Sequence, residues 1–241
     1  MSSVSQHRFH HCTDHATAWL LFVAVLFALI GNIPLLQAEE VPEKPYTETI
    51  AVLQVVYESE IHARDHYLAF ADVALKEGNT NIAHLFIAIA DSEKVHAGNF
   101  RRILKSLGVE LPEVLPVDIE VSTTKENLKY ATKIELSEID RQYPRYIKRI
   151  KPEMHEEALE YLTYAWEAEQ QHRDLIKDIR SGTGIFYSML LKYFSSNPSR
   201  YYVNQNCGTT VTELPEGGCP ICHQPLETFV EIPAPQENRE S

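Results

Sequence analysis

The most restrictive feature of this 241-residue chain is a repeated spacing of acidic residues. Glu60 lies 33 residues before the sequence Glu93-Lys94-Val95-His96, and Glu135 lies 34 residues before Glu169-Gln170-Gln171-His172. Positions i and i+3 share one face of a helix, so each Glu-x-x-His sequence can present both side chains to one metal ion. Either motif alone is common. The matched spacing in the two halves predicts two equivalent helix pairs around a shared site.

Apolar residues recur at helical spacing in four long segments. These run over about 47–76, 80–107, 124–144 and 151–180, the third ending near Tyr143-Pro144 or a turn or two later. Gly78-Asn79 separates the first two segments, whereas residues 109–123 contain two prolines and no helical period, which predicts a long connection. Two helix pairs joined by one long crossover predict an all-α ferritin-like four-helix bundle over residues 46–180.

The charge balance limits the partners of the chain. With 22 basic and 34 acidic residues its net charge is −12, whereas a surface that binds nucleic acid needs the opposite sign. Carboxylates do bind hard cations. If the acidic groups of the repeat face the bundle axis, each is costly to desolvate alone, and two divalent cations remove most of that penalty. A site with mostly oxygen ligands and two imidazoles favours iron or manganese. For any one of these glutamates considered alone, the alternative is that it lies on a solvated face of its helix.

Residues 1–38 have the pattern of a secretory signal peptide. Arg8 precedes an uncharged apolar run over residues 16–30, and Ala38 precedes Glu39-Glu40. A weakly basic start, a short apolar core and a small residue before acidic sequence predict export, to the periplasm, with cleavage after Ala38. The alternative is an uncleaved membrane anchor that leaves the bundle outside the cytoplasm, because residues 16–36 just reach the length of a bilayer span.

These residues and their neighbours resemble rubrerythrins across most of residues 50–232. The matching stretches are Glu60-Ile-His-Ala-Arg-Asp-His-Tyr67, Ser92-Glu-Lys-Val-His-Ala97, the region from Glu126 to Pro144, and Ala168-Glu-Gln-Gln-His172. Rubrerythrins are non-haem di-iron proteins, typically homodimers, that reduce hydrogen peroxide with electrons from a rubredoxin-like site. The resemblance therefore implies two iron ions, a homodimer, and an oxidoreductase of the NADH-peroxidase type that works through an electron donor chain. The donor itself is not identified.

The resemblance also implies which residues form the site. All seven di-iron ligands of the family have a match in this chain: Glu60, Glu93, His96, Glu135, Glu138, Glu169 and His172. Glu138 is the carboxylate that separates the family from ferritins, and Tyr67 and Tyr143 match tyrosines beside the metals. Glu60, Glu138, Tyr67 and Tyr143 are the candidate catalytic residues. For both tyrosines, core packing with a hydrogen-bonded hydroxyl is the alternative.

The C-terminal region changes character. Residues 201–232 are rich in short β-type runs and contain three cysteines, which predicts a small β-rich module after a linker at 181–200 and before a disordered tail at 233–241. By resemblance the module is rubredoxin-like, but only one of its two Cys-x-x-Cys sequences is intact, Cys219-Pro220-Ile221-Cys222. The other reads Asn204-Gln205-Asn206-Cys207, with asparagine in place of the first cysteine.

The altered module leaves alternatives open. Cys207, Cys219 and Cys222 can hold one Fe or Zn with His223, Asn204 or water as the fourth ligand. In an oxidising compartment a Cys219–Cys222 disulfide is the alternative, with Cys207 left free. Losing one thiolate changes the charge and geometry that set a redox potential, so the electrons for the di-iron site are expected to come from elsewhere.

The function expected from these features is reduction of hydrogen peroxide to water, in protection against oxidative stress. Two other classes fit the same ligands. A ferroxidase or iron-handling protein would use dioxygen and release ferric iron, and a metal-stabilised bundle without catalysis would act as a peroxide sensor.

Overall fold

The structure is a computed structural model, and it describes residues 45–111, 114–180 and 200–235, apart from the side chains of 177–180. The predicted leader at 1–38, nearly all of the linker at 181–200 and the end of the tail beyond 235 lie outside these ranges. None of the helices within them combines the length and apolar character that a membrane crossing requires.

The helices form the bundle that the sequence predicts. They are α1 (Thr47–Lys76), α2 (Thr80–Ser106), α3 (Thr124–Ser137), a π-helical turn (Glu138–Gln142), α4 (Tyr143–Ile150) and α5 (Glu156–Arg180). The π turn joins α3 and α4 into one continuous element. Helix α1 packs along α2, and α3 packs along α5. The ferritin-like fold class is thereby confirmed.

The π turn has a local cause. Pro144 lacks an N–H, so it cannot make the bond to the residue four positions back that an α-helix requires. At this point the N–H of Tyr143 instead bonds the carbonyl of Glu138, five residues back. The helix therefore gains one residue in this turn and continues to Ile150.

The last helix starts later than predicted. Lys151–Glu153 form a separate 3₁₀ turn, and Met154 adopts a left-handed conformation with φ of 57°, so the expected start at Lys151-Pro152 is wrong. The turn supports another helix, because the carboxylate of Glu153 accepts hydrogen bonds from the N–H groups of Glu48 and Thr49 at 2.9 and 2.8 Å. An anion at a helix N-terminus satisfies donors that have no partner within the helix.

Two hydrophobic clusters lie on either side of the middle of the bundle. Both consist mainly of aliphatic and aromatic side chains that are almost fully buried. One cluster includes Phe70, Phe86, Ile89 and Leu128, and the other includes Leu53, Phe100, Leu104 and Leu162. Burial of such side chains stabilises a fold by roughly 1.5–3 kcal/mol each. The favourable free energy of burial in the two clusters offsets the cost of burying polar side chains in the layer between them.

The small β-rich module predicted after the linker is present. Its strands β1 (Tyr202–Asn204), β2 (Thr210–Val211) and β3 (Phe229–Glu231) form an antiparallel sheet in the order β2-β1-β3. Tyr202 pairs with Val211 on one side and with Glu231 on the other. Val203 packs into the hydrophobic cluster of the bundle that contains Phe70. The module and the bundle therefore share part of one core.

Candidate functional site

Six of the predicted ligands come together in the polar layer between the two hydrophobic clusters. Helix α1 supplies Glu60, α2 supplies Glu93 and His96, α3 supplies Glu135, and α5 supplies Glu169 and His172. Each is at most 5% exposed. Within each Glu-x-x-His sequence the histidine Nδ1 lies close to the glutamate Oε2, at 3.0 Å in α2 and 3.1 Å in α5. One helical turn separates the members of each pair, as their spacing predicts.

The ligand atoms form two overlapping groups. Within each group the atoms all lie within 4.8 Å of one another. The first group comprises Glu60, Glu93, His96 and Glu169, and the second comprises Glu93, Glu135, Glu169 and His172. Glu93 and Glu169 belong to both groups. Each shared carboxylate has two oxygens and could therefore serve a metal ion in both groups. One Glu from each of two helices with Glu-x-x-His from each of the other two is the ligand set of carboxylate bundles that bind two irons.

The histidines present the nitrogen that a metal needs. His96 Nδ1 lies 3.4 Å from an oxygen of Glu169, and its Nε2 lies 3.2 Å from the carbonyl oxygen of Cys207. A carbonyl only accepts hydrogen bonds, so Nε2 carries a hydrogen, and Nδ1 faces the carboxylates, where a metal ion can replace its proton. His172 is arranged similarly, with its Nε2 at 3.3 Å from the Thr210 hydroxyl. Such outer hydrogen bonds fix the orientation of metal-binding histidines.

Two buried oxygen atoms show that the cluster suits cations. Among the described residues, Glu135 Oε2 and Glu169 Oε1 have no hydrogen-bond donor. A buried carboxyl oxygen without a hydrogen-bond donor is costly, and a bound divalent ion removes most of that cost. The donor set of carboxylates and two imidazoles suits iron. The residues present therefore fit a di-iron centre.

Both predicted tyrosines hold ligand carboxylates. The Tyr67 hydroxyl donates a hydrogen bond to Glu135 Oε1, and the Tyr143 hydroxyl donates one to Glu60 Oε1. Burial, followed by the negative charge of the adjacent carboxylate, raises the pKa of each tyrosine well above its ordinary value. Both hydroxyls therefore keep their protons at neutral pH and remain donors.

Glu138 occupies a different place from the other predicted ligands. It is half-buried in the π turn and does not belong to either group of close ligand atoms. Burial, together with the negative charges of Glu169 and Glu60, raises its pKa well above the usual range. Its side chain lines a cavity of about 230 Å³, and Tyr67 lines the same cavity. Glu138 thus lies between the cluster and a space that a small molecule can enter.

Several contacts between the module and the bundle have no signal in the sequence. The Ser92 hydroxyl donates to the carbonyl of Gly208 at 2.6 Å, and the Asn99 side chain donates to the carbonyl of Asn206 at 2.8 Å. Gly208 has a left-handed φ of 81°, and a Cβ there would overlap the ring of His96. A glycine directly after Cys207 was the only local indication of this close approach.

The three cysteines of the module lie together as free thiols. Cys207, Cys219 and Cys222 are buried, and their sulfur atoms lie within 4.8 Å of one another. The alternative of a Cys219–Cys222 disulfide is not what the structure contains. A hydrogen bond with the Cys207 thiol lowers the pKa of Cys219 to about 4, while the same contact raises the pKa of Cys207. Cys219 therefore ionises before Cys207.

Metal-free protein is expected to lose stability as the pH rises from about 5 to about 9. Burial raises the pKa of Glu60 from 4.5 to about 8. Although burial opposes it, the charges of Glu93 and Glu169 raise the pKa of His172 from 6.5 to about 9. The folded state therefore holds these protons more tightly than the unfolded state, and its advantage disappears as the pH rises through the folded-state values.

The measurement is urea unfolding of chelator-treated protein across this range. A decrease of at least about 1 kcal/mol in unfolding free energy is expected, since one pKa unit corresponds to that amount. Glu169 does not contribute to this change, because its lowered pKa stabilises the folded state throughout this range and that stabilisation is lost only as the pH falls below the ordinary value of 4.5. Metal-loaded protein is the control, and its stability should vary less because metal ions displace the protons. Parallel curves for the two forms would contradict the prediction.

Comparisons with known proteins agree with this geometry. A sequence model of the rubrerythrin family matches residues 51–179. Rubrerythrin-2 of Clostridium acetobutylicum is 30% identical over 181 residues, which cover 75% of this chain and 95% of that protein. The rubrerythrin of Clostridium perfringens is 29% identical over 193 residues, with coverages of 76% and 93%.

Solved structures give the same result. Nigerythrin in its fully reduced, all-ferrous state superposes with a TM-score of 0.65 at 25% identity, covering 76% of this chain and 86% of that one. The bundle, the small sheet and the cysteine cluster are all parts of the likeness. The family binds two irons, and the paired ligand groups of this chain are placed where they could hold metal ions. The chain belongs to the rubrerythrin family.

Proposed function

We propose that the protein is a di-iron peroxidase that reduces hydrogen peroxide to water and protects against oxidative stress. The observation that carries the proposal is the pair of overlapping ligand groups that share Glu93 and Glu169. Two metal ions held side by side can deliver two electrons to one substrate molecule, which is what cleavage of the O–O bond requires. The family relationship supports the same reaction class.

The residues around the site have different roles in this reaction. When bound, two ferrous ions supply two electrons, which with two protons convert one hydrogen peroxide into two waters. Glu60, Glu93, Glu135 and Glu169 with the two histidines hold the ions, and the flanking hydrophobic clusters keep bulk water from the polar layer. The hydroxyls of Tyr67 and Tyr143 keep two of the carboxylates in place.

The cavity beside Glu138 offers a route for the substrate. Its volume of about 230 Å³ is several times the roughly 30 Å³ that one water occupies in the liquid, so hydrogen peroxide fits. His62 and Gln142 are among its polar lining groups, and Glu138 lies where the cavity meets the cluster. The Glu138 carboxyl lines this cavity, so it is placed to pass a proton to a departing oxygen.

The test is stopped-flow oxidation of anaerobically reduced protein loaded with two irons, mixed separately with hydrogen peroxide and with dioxygen. Much faster oxidation by peroxide, with iron retained, is the expected result. Faster oxidation by dioxygen with release of ferric iron would instead identify a ferroxidase. No reaction with either oxidant would leave a metal-stabilised bundle, and the proposal would be wrong.

The proposal also includes the oligomeric state, the electron donor and the cellular location of the protein. We expect a homodimer, an electron donor outside the altered module, and export directed by residues 1–38. N-terminal sequencing of protein from separated cell fractions tests the last of these. A mature chain that starts at Glu39 in the soluble periplasmic fraction would support export with cleavage, and an intact leader in the membrane fraction would support the anchor.

Removing the hydroxyl of Tyr67 or Tyr143 should slow the reaction with peroxide, while the protein still binds iron. Tyr67→Phe and Tyr143→Phe each delete the donor to one ligand carboxylate, and a change of this kind costs about 10- to 100-fold in activity or metal affinity. Iron content and the rate of peroxide-driven oxidation are measured together. Tyr57→Phe, at a half-buried position of α1, is the control. Wild-type rates in both variants would show that the tyrosines only fill the core.

A further inference from the structure

Asn204 occupies the position of the missing cysteine, and its side chain is turned into the thiol cluster. It is fully buried at the end of β1. Its Oδ1 accepts hydrogen bonds from the N–H groups of Asn206 and Cys207 at 2.9 and 3.3 Å. The same oxygen lies 3.7 Å from Cys222 Sγ. Its Nδ2 donates to the Thr228 hydroxyl at 2.7 Å, which fixes the oxygen on the side of the sulfurs.

Three sulfur atoms lie within 4.8 Å of one another, and the amide oxygen lies beside one of them. Cys207 Sγ and Cys219 Sγ are 3.6 Å apart, and Asn204 Oδ1 approaches the third thiol, Cys222. The Thr209 hydroxyl lies 2.9 Å from Cys207 Sγ and 3.2 Å from Cys219 Sγ, where it hydrogen-bonds the thiols, but a neutral hydroxyl is not among the usual ligands of zinc. His223 is exposed in a left-handed turn with φ of 57°. The geometry therefore favours Asn204 over His223.

We propose that Cys207, Cys219, Cys222 and the Oδ1 of Asn204 bind one Zn²⁺ ion in a closed tetrahedral site. Four protein ligands without an open position are typical of structural zinc, and zinc has no redox chemistry. The module then stabilises the structure and does not carry electrons. This inference does not depend on which oxidant the bundle uses.

The choice of zinc over iron follows from charge. Three thiolates and a neutral amide leave the site with one negative charge fewer than four thiolates do. A less negative site stabilises the ferrous over the ferric state, so iron here would not cycle at the low potential of a four-thiolate centre. Between divalent ions, zinc binds nitrogen, oxygen and sulfur sites more tightly than ferrous iron. With Asn at position 204, a structural zinc site is therefore expected here in place of a low-potential iron centre.

The site also acts on the neighbouring bundle. Cys207 is a ligand of the proposed zinc ion, and its carbonyl also accepts a hydrogen bond from Nε2 of His96. The carbonyl of the next residue, Gly208, accepts a hydrogen bond from the Ser92 hydroxyl. A metal that fixes Cys207 therefore also fixes the outer hydrogen bond of a di-iron ligand. We assign the module the role of positioning His96.

The experiment uses cobalt as a spectroscopic probe of full-length protein. Charge-transfer bands from sulfur to Co²⁺ report only the cysteine site, because the bundle site has no sulfur ligand. Displacement of Co²⁺ by Zn²⁺ then gives the zinc affinity. The wild type should show tetrahedral cobalt bands and one tightly bound zinc per chain. Asn204→Ala should lower zinc affinity by about 10- to 100-fold, and His223→Ala should not change it.

Two further variants keep the test valid if Asn204→Ala misfolds. Asn204→Asp keeps the oxygen and adds a negative charge, so zinc should bind at least as tightly as in wild type. Asn204→Cys should acquire the visible thiolate-to-iron bands of a ferric centre when it is loaded with iron and oxidised, whereas the wild type should not.

Three outcomes would overturn the proposal. These are unchanged cobalt spectra and zinc affinity in Asn204→Ala, a stable ferric site in the wild type, or a Cys219–Cys222 disulfide that leaves Cys207 as the one alkylatable thiol of the three in unreduced protein.

Discussion

Glu93→Gln is expected to abolish loading of both irons and the peroxide reaction with them. Glu93 belongs to both ligand groups, so its loss removes a ligand from each ion at once. An amide is neutral and offers one acceptor oxygen in place of two, so it cannot bridge the ions as a carboxylate does. The effect should exceed the about 10- to 100-fold loss that follows from removing an outer hydrogen bond.

Iron per chain and the rate of peroxide-driven oxidation measure this effect, with helix content by circular dichroism as a check of folding. Glu58→Gln is the matched control, because Glu58 is exposed on α1 two residues from a ligand and makes the same chemical change. The metal-free Glu93→Gln protein should be less stable than metal-free wild type, because Glu93 lies 3.0 Å from His96 and 3.3 Å from His172, and removing one partner of a buried ion pair leaves the other charge without compensation. Normal iron content in Glu93→Gln would show that the two groups are not one dinuclear site.

Gly208→Ala should detach the module from the bundle and reduce iron loading, whereas Gly217→Ala should do neither. Both glycines have a φ of 81°, so alanine pays the same backbone penalty at each. A Cβ at Gly208 would overlap the His96 ring and approach Ser92 Oγ at 2.7 Å, while one at Gly217 meets no described atom within 4 Å. The difference between the variants therefore isolates the close contact.

We expect Gly208→Ala to be less stable than Gly217→Ala by about 1–3 kcal/mol, the usual cost of overpacking. Thermal unfolding gives the stability, and iron content shows whether His96 has been displaced. Limited proteolysis reports whether the module still packs against the bundle. Equal behaviour of the two variants would mean that the module does not press against His96 in solution.

The sequence predicts the site better than it predicts the surroundings of the site. Glu93 with His96, and Glu169 with His172, are local pairs, so helical periodicity alone places each pair on one face. The hydrogen bonds from Ser92 to Gly208 and between His96 and Cys207 join residues 116 and 111 positions apart, and no periodic pattern encodes such distances. These contacts depend on how two independently patterned regions pack.

The error at the start of α5 has a similar origin. A proline after a lysine resembles the first turn of a helix, and Pro152 does occupy the first turn, but of a 3₁₀ element that ends at Glu153. The left-handed Met154 separates the two elements. Glu153 favours this arrangement, because its carboxylate accepts a hydrogen bond at the start of α1, more than a hundred residues away in the sequence. Local propensity does not include that requirement.

The π turn at Glu138–Gln142 sets the rotational phase of everything that follows it on the same helical element. One inserted residue turns all later side chains by about 100° around the helix axis relative to an unbroken α-helix. Tyr143 and Ile150 face the interior in this phase and are almost fully buried. In the unshifted phase the Tyr143 hydroxyl would point away from Glu60. In an unbroken α-helix, positions 135 and 143 would not face the same side. The inserted residue rotates Tyr143 around the helix axis, so that Glu135 and Tyr143 both face the cluster.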